Sequence, residues 1–182
     1  TVHLVNRRGG TVLGRPGLTR LQDAEGPVDL VAICVPAAGF LDAVDDALAS
    51  GVRAIVGITA GLSEASPEGR EIELEALRRI HAAGAVLVGP NCLGVIDTTS
   101  SLFLASEPFT AGPVAVLSQS GNLALEVGLL GAEVGLGFSR FVSLGNQADV
   151  EAQELVESFA AHEATRLIAV YLEDFRAGRA FA

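Results

Sequence analysis

Val114-Ala115-Val116-Leu117-Ser118-Gln119-Ser120-Gly121-Asn122-Leu123-Ala124-Leu125 carries the strongest local signal in the chain. An apolar run passes through a turn of small residues straight into an apolar helical run. A strand feeding a helix in this way is the unit of sheets whose parallel strands are joined by crossover helices. Unpaired amides at the start of the helix, expected over 122–130, and the helix dipole both point at the loop and make an anion site for phosphate or carboxylate. Ser120 reads equally well as a routine N-cap. Leu123, Ala124, Leu125, Val127, Leu129 and Leu130 leave little polar face, so the helix is expected to be buried.

On either side of this stretch, further Val-, Ile- and Leu-rich runs occupy residues 2–5, 30–35, 54–58, 85–88, 138–142 and 167–171. They alternate with segments of helical period, the pattern of a mostly parallel α/β sheet with helices on both faces. Phe40, Leu41, Val44 and Leu48 form one helical stripe that Gly51 stops. Ser66 and Pro67 supply an N-cap and first-turn signal for the next helix, and Gly84 ends it. Its buried stripe is Ile72, Ala76, Leu77, Ile80 and Ala83, with Glu71, Glu73, Glu75, Arg78 and Arg79 on the solvated face. Residues 98–112, with Thr-Thr-Ser-Ser and then Pro108 and Ala-Gly-Pro, read as a linker between domains at 1–105 and 112–182. An acidic helix is expected over 150–161. Asn6-Arg7-Arg8-Gly9-Gly10 after the first run resembles the end of a second strand in a nucleotide-binding fold, so the chain reads as a segment trimmed at both ends.

At 182 residues, 49% hydrophobic and 19% charged, the composition is that of one packed domain or two compact ones. A formal charge of −10 argues against a nucleic-acid binder, whose affinity rests on Lys and Arg neutralising phosphates. Yet Arg7, Arg8, Arg15 and Arg20 all precede the first acidic residue, Asp23, and form a local cationic patch able to take a small polyanion. No apolar run approaches the ~20 residues of a membrane span, so no membrane partner is expected. Two cysteines 58 positions apart fit neither a zinc site nor a disulfide framework, which points to a cytoplasmic location. Cys34, inside an apolar run, is expected to be a small buried hydrophobe.

Gly89-Pro90-Asn91-Cys92-Leu93-Gly94 follows a strand at the carboxyl edge, where open α/β sheets bind ligands. A catalytic thiol at Cys92 is disfavoured because no histidine can be assigned as its base. Val35-Pro36-Ala37-Ala38 and Thr59-Ala60-Gly61 follow two neighbouring strands, so the three loops line one rim with small residues and open backbone. The three histidines, His3, His81 and His162, suit capping or surface roles. Glu173 ends the last strand, where its carboxylate can orient a partner at the sheet edge or stand as an ordinary loop acid.

These motifs match a known family in order: Val35-Pro36-Ala37, Ile58-Thr59-Ala60-Gly61 with Ser63-Glu64, residues 89–94, Leu117-Ser118-Gln119-Ser120-Gly121, and Ser143-Leu144-Gly145-Asn146-Gln147-Ala148-Asp149-Val150. Over essentially its whole length the chain resembles the alpha part of ADP-forming acetyl-CoA synthetases and, more distantly, the alpha subunit of succinyl-CoA synthetase. The resemblance implies a Rossmann-like CoA-binding domain followed by a partial flavodoxin-like domain. It implies acid-thiol ligase chemistry that interconverts acyl-CoA, phosphate and a nucleoside diphosphate with acid, CoA and nucleoside triphosphate, through an acyl phosphate and a phosphohistidine. By position, Arg8 resembles the residue that meets a CoA phosphate, and Val35, Pro36, Ile58, Thr59 and Ala60 resemble the CoA-lining loops. Asn91 and Cys92 would border the thiol end, Ser120, Gly121 and Asn122 match the phosphate-receiving helix start, and Glu173 matches the acid that steadies the phosphorylated imidazole. Implied partners are coenzyme A, phosphate, an acyl group, and an ATP-grasp domain or beta subunit holding ADP or ATP with magnesium, in an oligomer. No metal site is expected on this chain.

Neither the glycine-rich loop, nor the Ser-His-Thr-Gly type segment of the phosphohistidine, nor an ATP-grasp sequence occurs in these 182 residues, so the chain alone is expected not to turn over. Two other readings stand beside this one. The same domains occur fused to acetyltransferases as ligand sensors, and a Rossmann-like half also suits a nicotinamide-dependent protein, although no Gly-x-Gly-x-x-Gly is present.

Overall fold

A computed structural model of the chain describes residues 1–107, 109–175 and 178; Pro108, in the expected linker, and the end of the chain at 179–182 lie outside them. In chain order, β1 (Thr11–Val12) and β2 (Arg15–Pro16) pair antiparallel, followed by β3 (Leu30–Ile33), α1 (Phe40–Ala49), β4 (Ala54–Gly57), α2 (Pro67–Ala82) and β5 (Val86–Val88). β3, β4 and β5 form a parallel sheet in that order. Its core gathers Ile33, Phe40, Val44, Ile55, Leu62, Ala76, Ile80 and Leu87, so the two helical stripes read from the periodicity are the surfaces that pack. Ser66 caps α2 by accepting from the Gly69 amide at 3.0 Å, and Gly51 and Gly84 follow their helices with φ of +79° and +67°.

The chain then forms β6 (Gly94–Asp97), β7 (Leu102–Ala105), β8 (Ala111–Ser118), α3 (Gly121–Glu133), β9 (Phe138–Ser143), α4 (Ala152–Ala160) and β10 (Leu167–Tyr171). These strands make a second sheet in the order β10-β8-β9-β6-β7, with β10, β8 and β9 parallel and the β6–β7 hairpin antiparallel. The period of two in β8 separates its faces. Val114 and Val116 pack with Phe109, Ala124, Phe138 and Phe141, whereas Ala115 and Leu117 pack with Val142, Leu144, Ala152 and Phe159.

Several elements differ from the reading of the sequence. Among the described residues, 2–5 make no ladder: Val5 forms an isolated bridge to Leu18, and Val2 and Val5 stay exposed. Part of the expected linker is the hairpin β6–β7, which hydrogen-bonds into the second sheet. Asp97 closes its turn by accepting from the amides of Thr99 (2.9 Å) and Ser100 (3.1 Å), a local signal hidden in a polar Thr/Ser run. Cys34 is exposed and not buried, because it follows β3, the edge strand of its sheet, and lines an open cleft. Glu73 is buried at 5% exposure, against the expectation of a solvated face, because it bonds to Ser63 and Asn146.

The helix α3 is the largest departure. Only Ala124 and Gly131 are buried, while Leu129 and Leu130 are 57% and 62% exposed. A Cβ at Gly128 would meet the Phe109 ring at 2.6 Å, and one at Gly131 the Phe138 ring at 2.7 Å. The helix therefore sits on the sheet through its small residues, and its leucines are turned outward.

Candidate functional site

The site is built on the carboxyl ends of the parallel strands. Beside β3, a cleft of about 910 Å³ is lined by Arg7, Arg8, Arg20, Cys34, Val35 and Pro36, with Asp42 and Asp46 of α1 on its wall. That volume is in the range of small-molecule sites. Arg7 pairs with Asp42 at 3.4 Å and Arg20 with Asp46 at 3.8 Å. Among the described residues the Arg8 guanidinium makes no ion pair, and its backbone is fixed by donating its amide to Asn6 Oδ1 at 3.0 Å. Arg8, Val35 and Pro36 are thus brought together in one cleft.

Ile58, Thr59 and Ala60 lie one strand further on, outside the lining of that cleft. Thr59 is 3% exposed, and its hydroxyl donates to the Val35 carbonyl at 2.8 Å, so it fixes the rim from behind. Next along the rim, Asn91 adopts φ +57° and donates its amide to the Thr59 carbonyl at 2.9 Å. Cys92 is 2% exposed, and burial pushes its thiol up to about 11. A thiol that stays protonated at neutral pH is a packing group and not a nucleophile.

At the carboxyl end of the second sheet, β8 turns into α3. Ser120 is extended at the N-cap of α3, yet its side chain makes no capping bond, so the helix-start amides keep their outward donors. Ser118 Oγ donates to the Ser120 carbonyl at 2.5 Å and holds the turn. Gly121 is demanded by packing, since a Cβ there would lie 2.5 Å from Leu93 Cγ. The helix start therefore abuts the 89–94 loop, while Asn122 is exposed. Glu173 lies beside this turn: Gln119 Oε1 accepts its amide at 2.9 Å and that of Asp174 at 3.3 Å.

Reading from the sequence missed Gln119 as the residue that ties the end of β10 to the turn before α3, and it missed the polar joint between the sheets. In that joint Asn146 Nδ2 shares its two hydrogens among Glu64 at 2.6 Å, Glu73 at 2.9 Å and Ser63 at 3.1 Å, and Oδ1 accepts from Asn91 Nδ2 at 3.2 Å. The Glu64 carboxyl is raised by burial but brought below its usual range overall by bonds from Asn146 and the Gly61 and Leu62 amides. A signal was available in the two Asn-containing loops, 89–94 and 143–150, which both follow strands at the same edge.

Comparison with known proteins agrees with this layout. The CoA binding domain family matches residues 1–98, and the succinyl-CoA ligase like flavodoxin domain family matches residues 111–182. The chain is 34% identical over 181 residues to the alpha subunit of acetate–CoA ligase (ADP-forming) II of Pyrococcus furiosus, covering 99% of this chain and 40% of that one. It is 37% identical over 184 residues to acetate–CoA ligase (ADP-forming) I of Archaeoglobus fulgidus, covering 100% of this chain and 27% of that protein. Among solved structures, the dinucleotide-forming acetyl-coenzyme A synthetase 1 of Ca. Korarchaeum cryptofilum, in complex with phosphate and ADP, superposes with a TM-score of 0.90 at 31% identity, over 97% of this chain and 39% of that one. The chain thus spans well under half the length of these relatives. The chain therefore belongs to the CoA binding domain family, continued by a succinyl-CoA ligase like flavodoxin domain.

Proposed function

We propose that this chain is the CoA-binding and phosphate-handling alpha part of an NDP-forming acyl-CoA synthetase. The observation that carries the reading is an arginine-lined cleft on the first sheet and an uncapped helix start on the second, linked through the Thr59–Val35, Asn91–Thr59 and Gly121–Leu93 contacts. Guanidinium groups suit the phosphates of CoA, and a helix start suits inorganic phosphate. In the reaction an oxygen of phosphate attacks the thioester carbonyl, the C–S bond breaks, and CoA leaves with an acyl phosphate as the other product. Arg8 would meet a CoA phosphate, Val35, Pro36, Ile58, Thr59 and Ala60 would shape the loops along the cofactor, and Asn91 and Cys92 would support its thiol end. Ser120, Gly121 and Asn122 would receive the phosphate, with Glu173 held beside them by Gln119.

The phosphoryl group would pass to ADP, held with magnesium on an ATP-grasp part or beta subunit, within an oligomer in the cytoplasm. Among the described residues no helix is long and apolar enough to cross a membrane, and no cluster of three or more His, Cys, Asp or Glu is placed to hold a metal. The uncapped helix start with Glu173 beside it favours ligase chemistry over a purely sensory domain. Titration calorimetry tests the reading: CoA is expected to bind and NAD to give no heat. R8A should weaken CoA about tenfold, the scale of one charge-assisted contact. Binding of NAD, or silence toward CoA, would overturn it.

A further inference from the structure

A set of polar side chains joins the two sheets beside the proposed site. The Gly145 turn approaches the 89–94 loop so closely that a Cβ would lie 2.1 Å from the Pro90 carbonyl oxygen. Asn146 donates its backbone amide to that carbonyl at 2.8 Å. Its side chain, on a loop that follows the second sheet, reaches Glu64 after β4, Glu73 on α2 and Asn91 after β5. Two carboxylates face one nitrogen, so only the NH₂ end of the amide serves there, and the oxygen is directed to Asn91. Without that donor, Glu73 keeps Ser63 alone, at 2.8 Å, and two negative charges confront each other.

From this arrangement we infer that Asn146 is a positioning residue for acyl transfer. It makes no contact assigned to a ligand. It locks the loops proposed to hold CoA against the sheet whose α3 receives phosphate, so the attacking oxygen and the thioester carbon meet at a fixed separation. Reactions of this kind lose rate when reacting groups are displaced by about 1 Å, even when each group still binds. The inference rests on the ligase reading and assigns the residue that couples its two halves.

The test uses the full-length polypeptide that contains this chain, with its ATP-grasp partner. Phosphate-dependent turnover of acetyl-CoA, 4-hydroxybutyryl-CoA and feruloyl-CoA is measured for the wild type, and the fastest thioester is carried forward. N146A is expected to lower kcat by about 10- to 100-fold, leaving KM for thioester and phosphate, and the calorimetric affinity for CoA, within about twofold. N146D, which adds a third carboxylate, should be slower still. Adding E73Q to N146D exchanges amide and carboxylate across the contact and should recover at least part of the lost kcat, which also shows that the loss is not misfolding. Unchanged kcat in N146A, a loss expressed in KM or CoA affinity, or no recovery in the double variant each overturns the inference while leaving the ligase reading intact. A wild type that turns over none of the thioesters overturns the ligase reading, and the inference falls with it.

Discussion

Cys34 and Cys92 stand at the ends of strands in the same sheet, yet their chemistry should differ. Cys34 is exposed on the cleft wall, whereas Cys92 is 2% exposed with its thiol pushed up to about 11. Alkylation of the native protein with iodoacetamide, followed by mass spectrometry, should modify Cys34 and spare Cys92, and saturating CoA should slow the reaction of Cys34. Equal labelling of both, or no protection by CoA, would contradict the placement of the cofactor in this cleft. Asp97 offers a second residue-level test. Burial raises its carboxyl, but bonds from Thr99, Ser100 and Arg140 bring it down to about 2. A folded-state value below the unfolded one, about 3.9, means that its contribution is complete above that pH and is lost as pH falls through about 2. Denaturant titrations from pH 5 to 2 should show D97N less stable than wild type at pH 5, with the gap closing toward pH 2.

At the scale of elements, the helices show what local signals can specify. The start of α2 was legible because Ser66 and Pro67 act within one turn, and S66A should lower stability by about 1 kcal/mol. The 143–150 loop behaves differently. Gly145 has φ +55° and no room for a Cβ beside the Pro90 and Asn91 backbone, so G145A should cost about 2 to 4 kcal/mol in denaturant unfolding. A cost below that of S66A would show that the two loops are not in firm contact. For α3, composition predicted burial, but glycines facing Phe109 and Phe138 decided which side meets the sheet. Hydrophobicity summed along a helix does not say which face is covered when the small residues form the contact.

Across the whole molecule, the two sheets are joined by backbone bonds. Asn146 donates to Pro90, Ala148 to Gly89 and Val150 to Leu87, while Asp149 accepts the Leu87 amide at 2.8 Å and contacts His81 at 2.6 Å. A seam of this kind should make the protein unfold as one unit. Calorimetric and van't Hoff enthalpies are expected to agree, and two resolved transitions would contradict the seam. The alternation of apolar runs and amphipathic segments determined by itself that the chain is α/β with parallel sheets, because periodicity and capping act within a few residues. That the loops after residues 35, 58 and 88 share one carboxyl edge was likewise legible, since each follows an apolar run of the same kind. Tertiary structure alone decided that the 94–105 hairpin pairs with the second sheet, that Glu73 is buried, and that Asn146 spans the joint. Each of these depends on a partner tens of residues away, and the identity of such a partner is fixed by packing in space and by no pattern local to either residue.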